Sequence, residues 1–226
     1  GYDAAPGWRV LGVPIDADGV FAFAIFVPML FISSWGALGA AAIAGMVPLY
    51  LFARRERLGV VMLKRSILFV VPVLALLSVM WSEAPRESFK YAAELGITVV
   101  AGLLLSSARN QAAVLRGLAL AFFTYVGVAV ASGGQVAIGV GAGGQAFSGL
   151  TESKNLLADI ASTGLIISMA VVAMAIARRQ WLWMAFGLAA VALELFAVTG
   201  ARSAGALVGV GIGVIAMLGL LVLLAA

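Results

Sequence analysis

Residues 153–177 read SKNLLADIASTGLIISMAVVAMAIA, a continuous apolar run in which Lys154 and Asp159 are the only charges. A helix needs about 20 such residues, at about 1.5 Å of rise each, to cross a hydrocarbon core of about 30 Å. The run is therefore a spanning helix. It emerges from the glycine-rich stretch GGQVAIGVGAGGQAFSG, residues 133–149, which is too rich in glycine to continue a helix and reads as a loop. Lys154 and Asn155 fall in the helix's first turn and Asp159 one turn deeper, where lipid contact alone would favour Leu or Val.

The pattern repeats along the chain. Of its 226 residues 64% are hydrophobic and 11% charged, with mean hydropathy +1.14, which excludes a water-soluble globule. Continuous runs rich in Leu, Ala, Val and Gly exclude a spanning β-barrel, whose strands alternate over about 10 residues. The expected fold is an all-α polytopic membrane protein with about eight transmembrane helices. Residues 1–18 read as a polar leader or interfacial segment, and 19–226 as one helical domain. Spans are expected at 19–34, 37–53, 67–80, 88–105, 111–131, 153–177, 181–198 and 203–224. The ends GYDAAPGW and LVLLAA look trimmed, so the chain is expected to be part of a longer protein.

With neither cysteine nor histidine, no disulfide framework exists and the usual metal ligand and neutral-pH base are missing, so no metal or cofactor is expected. The pI near 9.9 does not point to nucleic acid, because the cations lie in loops between spans rather than on one basic face. Arg9, Arg54, Arg55, Arg57, Lys64, Arg65, Arg109, Arg116, Arg178 and Arg179, ten of the fourteen, fall on the side of the N-terminus. The positive-inside rule makes that side cytoplasmic. The glycine-rich loop between spans five and six then lies on the outer side.

Arg86, Lys90, Lys154 and Arg202 oppose this bias, at the starts of spans four, six and eight. A cation in a helix's first turn works against the dipole by about 0.3–1 kcal/mol, whereas a bound anion reverses that sign. Two readings stay open: snorkelling onto lipid headgroups, or an outer-face phosphate site. Glu94, Asp159 and Glu194 lie within spans, about five or six residues from the outer end. Intramembrane charges usually face a cavity or a partner. Glu94 pairs with Lys90 four residues earlier or acts chemically. Asp159 forms a polar stripe with Asn155 and Ser162.

SGLTESKNLLADI and, some forty residues later, TGARSAGALVGV resemble the two motifs of the O-antigen ligase and polysaccharide polymerase family, exopolysaccharide polymerases included. Upstream, MWSEAPRESFKYA is similar to that family's tryptophan-serine segment. The resemblance implies an enzyme of the bacterial inner membrane working at the periplasmic face. It would transfer glycan from a lipid-linked oligosaccharide donor, undecaprenyl diphosphate being the carrier, to another glycan or to lipid A-core. Carried over by motif, it implies that Lys154, Asn155 and Arg202, with Arg86, hold the diphosphate. Asp159 or Glu194 would be the catalytic base. The chain departs from the family pattern at Gln145 and Ser153, and the family's large periplasmic loop would follow a later span. Alternatives are an ion-coupled secondary transporter, against which no internal repeat is seen, and a non-catalytic membrane subunit.

Overall fold

The computed structural model describes residues 8–10, 13–53, 64–138, 144–151 and 153–225. The linker cations Arg54, Arg55 and Arg57, and Glu152, lie outside the described residues. Helices form wherever the apolar runs predict them: α1 Ala17–Leu30, the single turn α2 Ile32–Trp35, α3 Ala37–Ala53, α4 Ser66–Met80, α5 Pro85–Ser106, α6 Gln111–Ser132, α7 Lys154–Ala177, α8 Trp181–Gly200 and α9 Ala204–Ala225. The chain is an all-α membrane protein. α5, α6, α7 and α8 are long and apolar enough to cross a membrane, while α1, α3, α4 and α9 as far as Gly219 are shorter apolar helices. α4 begins and ends in tight 3-10 turns around a central Val70–Leu77 helix.

Interior and exterior are distributed as lipid demands. Alanines such as Ala22, Ala119, Ala121, Ala158, Ala161, Ala190 and Ala197 are fully buried, whereas Leu38, Ile67, Met80, Trp81 and Leu182 are exposed. Helices in lipid gain little by hiding large apolar groups from their surroundings, so close approach through small residues holds them together. A Cβ on Gly19 of α1 would lie 2.7 Å from the Ala113 carbonyl oxygen of α6, and one on Gly117 of α6 would collide with the Gly19 carbonyl. Glycine is required at this crossing.

The contacts also set each helix's direction. α1 and α6 start together: Asp16, the N-cap of α1, accepts a 2.7 Å hydrogen bond from the side-chain amide of Asn110, the N-cap of α6. α3 returns antiparallel to α1, with Gly39 against the Pro28 carbonyl and the Tyr50 hydroxyl donating to Asp18 at 3.0 Å. Arg65 before α4 donates to Ser106 at the end of α5, 3.0 Å away. α6 and α8 run parallel, through Arg116 with Gln180, Phe123 with Phe186 and Gly127 with Leu193. α7 is antiparallel to both and forms the most intimate pair with α8. α9 runs with α7, its Gly213 against Ile166.

Consecutive apolar helices thus alternate in direction, and the bundle has two distinct ends. One is tied by Asp16, Asp18, Tyr50 and Asn110. The other carries a short antiparallel hairpin of Gln135–Ala137 and Gln145–Phe147, at the two edges of the expected loop. Residues 8–10 and 13–15 pair as a second hairpin ahead of α1. The boundary at residue 18 was two residues late: Asp18 belongs to the first turn of α1 and is fully buried there. It accepts from Tyr50 and from the Asn110 backbone, and so acts as a bolt rather than as part of an interfacial leader.

Candidate functional site

α7 starts at the hairpin end, as its sequence requires. Ser153 caps it, its side chain accepting from the Leu156 N–H at 3.4 Å, and the Thr151 hydroxyl donates to the Ser148 and Ser153 carbonyls. Lys154 and Asn155 occupy the first turn, as expected. Lys154 is half-buried and Asn155 exposed.

The α7–α8 pairing brings Lys154 and Arg202 to the same end of the bundle. Gly164 of α7 faces Glu194 of α8, and Gly187 faces Val172, so the two helices pass in fixed antiparallel register. In that register Ala158 stands level with Gly200, the last residue of α8; Lys154 lies four residues before Ala158 and Arg202 two residues after Gly200. Among the described residues neither side chain has a hydrogen-bond or ion-pair partner. Each is a cation on the hairpin end without an acidic partner among the described residues.

The hairpin latches onto this corner. The Phe147 ring lies against Gly200, where any Cβ would collide with it, and tilts 5.6 Å from the Phe196 ring. Gly149, at φ +60°, packs on Ala129, and Ser148 and Gly149 donate to the Gly134 carbonyl. A Cβ on Gly144 would lie 3.4 Å from Nη1 of Arg202, so the base of the loop passes directly beside the guanidinium.

Arg202 is itself held in an unusual backbone state. It sits just past the end of α8 at φ +49°, in the left-handed region that glycine normally fills, and its N–H bonds the Thr199 carbonyl at 3.2 Å. A side chain there costs about 1–2 kcal/mol. Arg179, at φ +53°, ends α7 in the same way at the opposite end.

The other expected site residues are placed differently. Arg86 lies in the first turn of α5, which starts at Pro85, three residues earlier than expected. It is exposed, and α5 packs on α4 and α3 and only lightly on α1 and α6. Arg86 therefore stands apart from Lys154 and Arg202. The earlier start also puts Glu94 deeper than expected, and Lys90 lies over the Tyr91 ring, 5.5 Å from its centre, instead of pairing with Glu94.

Asp159 is exposed, and with Asn155 and Thr163 it lines one face of α7 at four-residue spacing. The Ser162 and Thr163 hydroxyls donate to the Asp159 backbone carbonyl. Glu194 is its opposite: fully buried, between Gly164 of α7 and Phe122 of α6. The two acids flank the α7–α8 pair, one open and one closed.

Sequence patterns missed Phe147, Gly144 and Gly200, which position Arg202, and Ser168, buried without a hydrogen-bond partner on the Glu194 side of α7. The signal for Phe147 was available: a lone aromatic ends the glycine-rich loop two residues before Gly149. No protein-family model, characterised protein or solved structure matches this chain.

Proposed function

We propose that the chain is the membrane core of a periplasm-facing glycosyltransferase of the polysaccharide polymerase or O-antigen ligase type. It sits in the bacterial inner membrane, with the clamped Asp16–Asn110 end cytoplasmic and the apolar helices crossing as eight spans. The alternating helix directions support that count, and the cations Arg65, Arg109, Arg116, Arg178 and Arg179 gathered at the clamped end support that orientation. The observation that carries the functional reading is that two cations without an ion-pair partner among the described residues, Lys154 in the first turn of α7 and Arg202 just past α8, lie at the same hairpin end of the bundle.

That corner suits a diphosphate. Backbone N–H groups and the dipole of α7 favour an anion at the helix start, and both cations add to them. In the reaction, an acceptor hydroxyl oxygen bonds to the anomeric carbon of the lipid-linked sugar and the bond from that carbon to the diphosphate oxygen breaks. Charge builds on the departing undecaprenyl diphosphate, where fixed cations stabilise the transition state more than the ground state. The acceptor proton passes to Asp159, the acid that a saccharide can reach from outside the bundle. Asn155, one turn nearer the hairpin end, orients the donor or acceptor hydroxyls.

The test is a deletion of the parent gene followed by analysis of lipid-linked repeat units and surface polysaccharide. Loss of a polymerase leaves single repeats, and loss of a ligase leaves long unattached chains. Complementation with K154A or R202A then fails to restore the product although the protein inserts normally. Unchanged glycans in the deletion strain reject both forms of the proposal.

A further inference from the structure

The most enclosed polar group in the bundle does not belong to the Lys154–Arg202 corner. Both carboxyl oxygens of Glu194 are buried without a hydrogen-bond partner among the described residues, and so is the hydroxyl of Ser168 on the adjoining face of α7. Gly164 leaves the room that the carboxyl fills, since a Cβ there would lie 2.6 Å from Oε1 and 2.9 Å from the Phe122 Cβ. One turn beyond Phe122 on α6, the Tyr125 hydroxyl is likewise buried without a partner. Oxygen-bearing side chains from three helices are thus collected in the apolar core.

Among the described residues no cation pairs with Glu194. From α6 it meets Phe122, with Tyr125 next along, and from α7 it meets Gly164 and Ser168. On its own helix the buried neighbours are Ala190, Ala197 and Val198. The interior cation of this group, Arg116, is engaged by Gln180 and lies 4.7 Å from the Trp183 ring centre. Gln180 is fourteen residues from Glu194, about 21 Å along a helix. Among the described residues no group of three or more His, Cys, Asp or Glu side chains gathers. A bare carboxylate enclosed among apolar helices is costly by several kcal/mol, and one hydroxyl cannot offset that.

We propose that Glu194 and Ser168 form an intramembrane proton-binding site at the α6–α7–α8 junction, with Glu194 carried as the neutral carboxylic acid and the Ser168 hydroxyl beside it. Exchange of that proton requires α7 and α8 to part at Gly164. The site is independent of the glycan reading and stands or falls without it.

Infrared difference spectroscopy of the full chain in liposomes, wild type minus E194Q at neutral pH, reads the site directly. The expected result is the carbonyl band of a neutral carboxylic acid, shifted by deuterium oxide and lost in E194Q. Wild type minus S168A is expected to show the same band displaced in frequency, and this second difference serves should E194Q fail to fold. Only carboxylate bands in both differences would overturn the proposal. So would conversion of the acid band to carboxylate when sodium replaces choline in the buffer, since the site would then hold a metal cation.

Discussion

Replacing Arg202 by glycine separates what the residue costs from what it does. At φ +49° the arginine backbone carries about 1–2 kcal/mol of left-handed strain, which glycine does not. Glycine returns about 0.5–1 kcal/mol of that through the greater freedom of its unfolded chain. R202G is therefore expected to be more stable than wild type by roughly 0.5–1 kcal/mol, a rise of about 1–4 °C in Tm for a chain of this size. Removing one charge-assisted contact of about 1.5–3 kcal/mol should at the same time weaken binding of undecaprenyl diphosphate about 10- to 100-fold. R202A removes the same charge but keeps the strained backbone, so it loses the affinity without the rise in Tm. R179G relieves the matching residue at φ +53° on the opposite end, and should gain stability with no loss of binding. Thermal unfolding followed by tryptophan fluorescence in detergent, together with calorimetric titration of the lipid, measures both quantities. If R202G and R179G weaken lipid binding equally, or if R202G binds like wild type, Arg202 has no part in a diphosphate site.

Three further outcomes follow from the packing. G117A drives a methyl into the Gly19 carbonyl and should lower stability by about 1–3 kcal/mol, whereas G45A, with open space around it, should not lower it; thermal unfolding compares the two. N110A removes both the cap on the Ala113 N–H and the bond to Asp16, and should cost about 1–2 kcal/mol in the same assay. Because the chain has no cysteine, single-cysteine variants need no altered background. N155C, D159C and T163C should react with a charged, membrane-impermeant thiol reagent, and L188C, on an exposed apolar face of α8, should not; equal protection of all four would place the α7 stripe in lipid.

The spans were legible because a bilayer imposes length and apolarity, and both can be read one residue at a time. The expected 37–53 and 111–131 meet α3 and α6 to within a residue. α5 starts three residues before the expected 88, because proline is well suited to a helix's first position. Depth was legible too, but facing was not. Asp159 and Glu194 are each five or six residues from a helix end, yet one is open and the other enclosed. That difference depends on which neighbour supplies a glycine at the right level, here Gly164. The separation of Arg86 from Lys154 and Arg202 has the same origin, since helix order in sequence does not state that α5 packs on α3 and α4.

The two ends of the bundle treat their polar groups in opposite ways, and that contrast bears on where chemistry is placed. At the clamped end, several polar side chains are engaged in structure: Asp16 and Asn110 cap two helices and hold each other, Asp18 takes the Tyr50 hydroxyl, Arg65 meets Ser106, and Arg116 meets Gln180. Groups satisfied in this way are poorly placed to bind anything else, because a ligand would first have to displace bonds worth about 1 kcal/mol each. At the hairpin end, Lys154, Asn155, Asp159 and Arg202 make no side-chain hydrogen bonds among the described residues, while glycines and Phe147 hold the backbone around them in place. A rigid frame carrying unspent polar groups is what preorganised binding requires, since a ligand's interaction energy is then not consumed in ordering the protein.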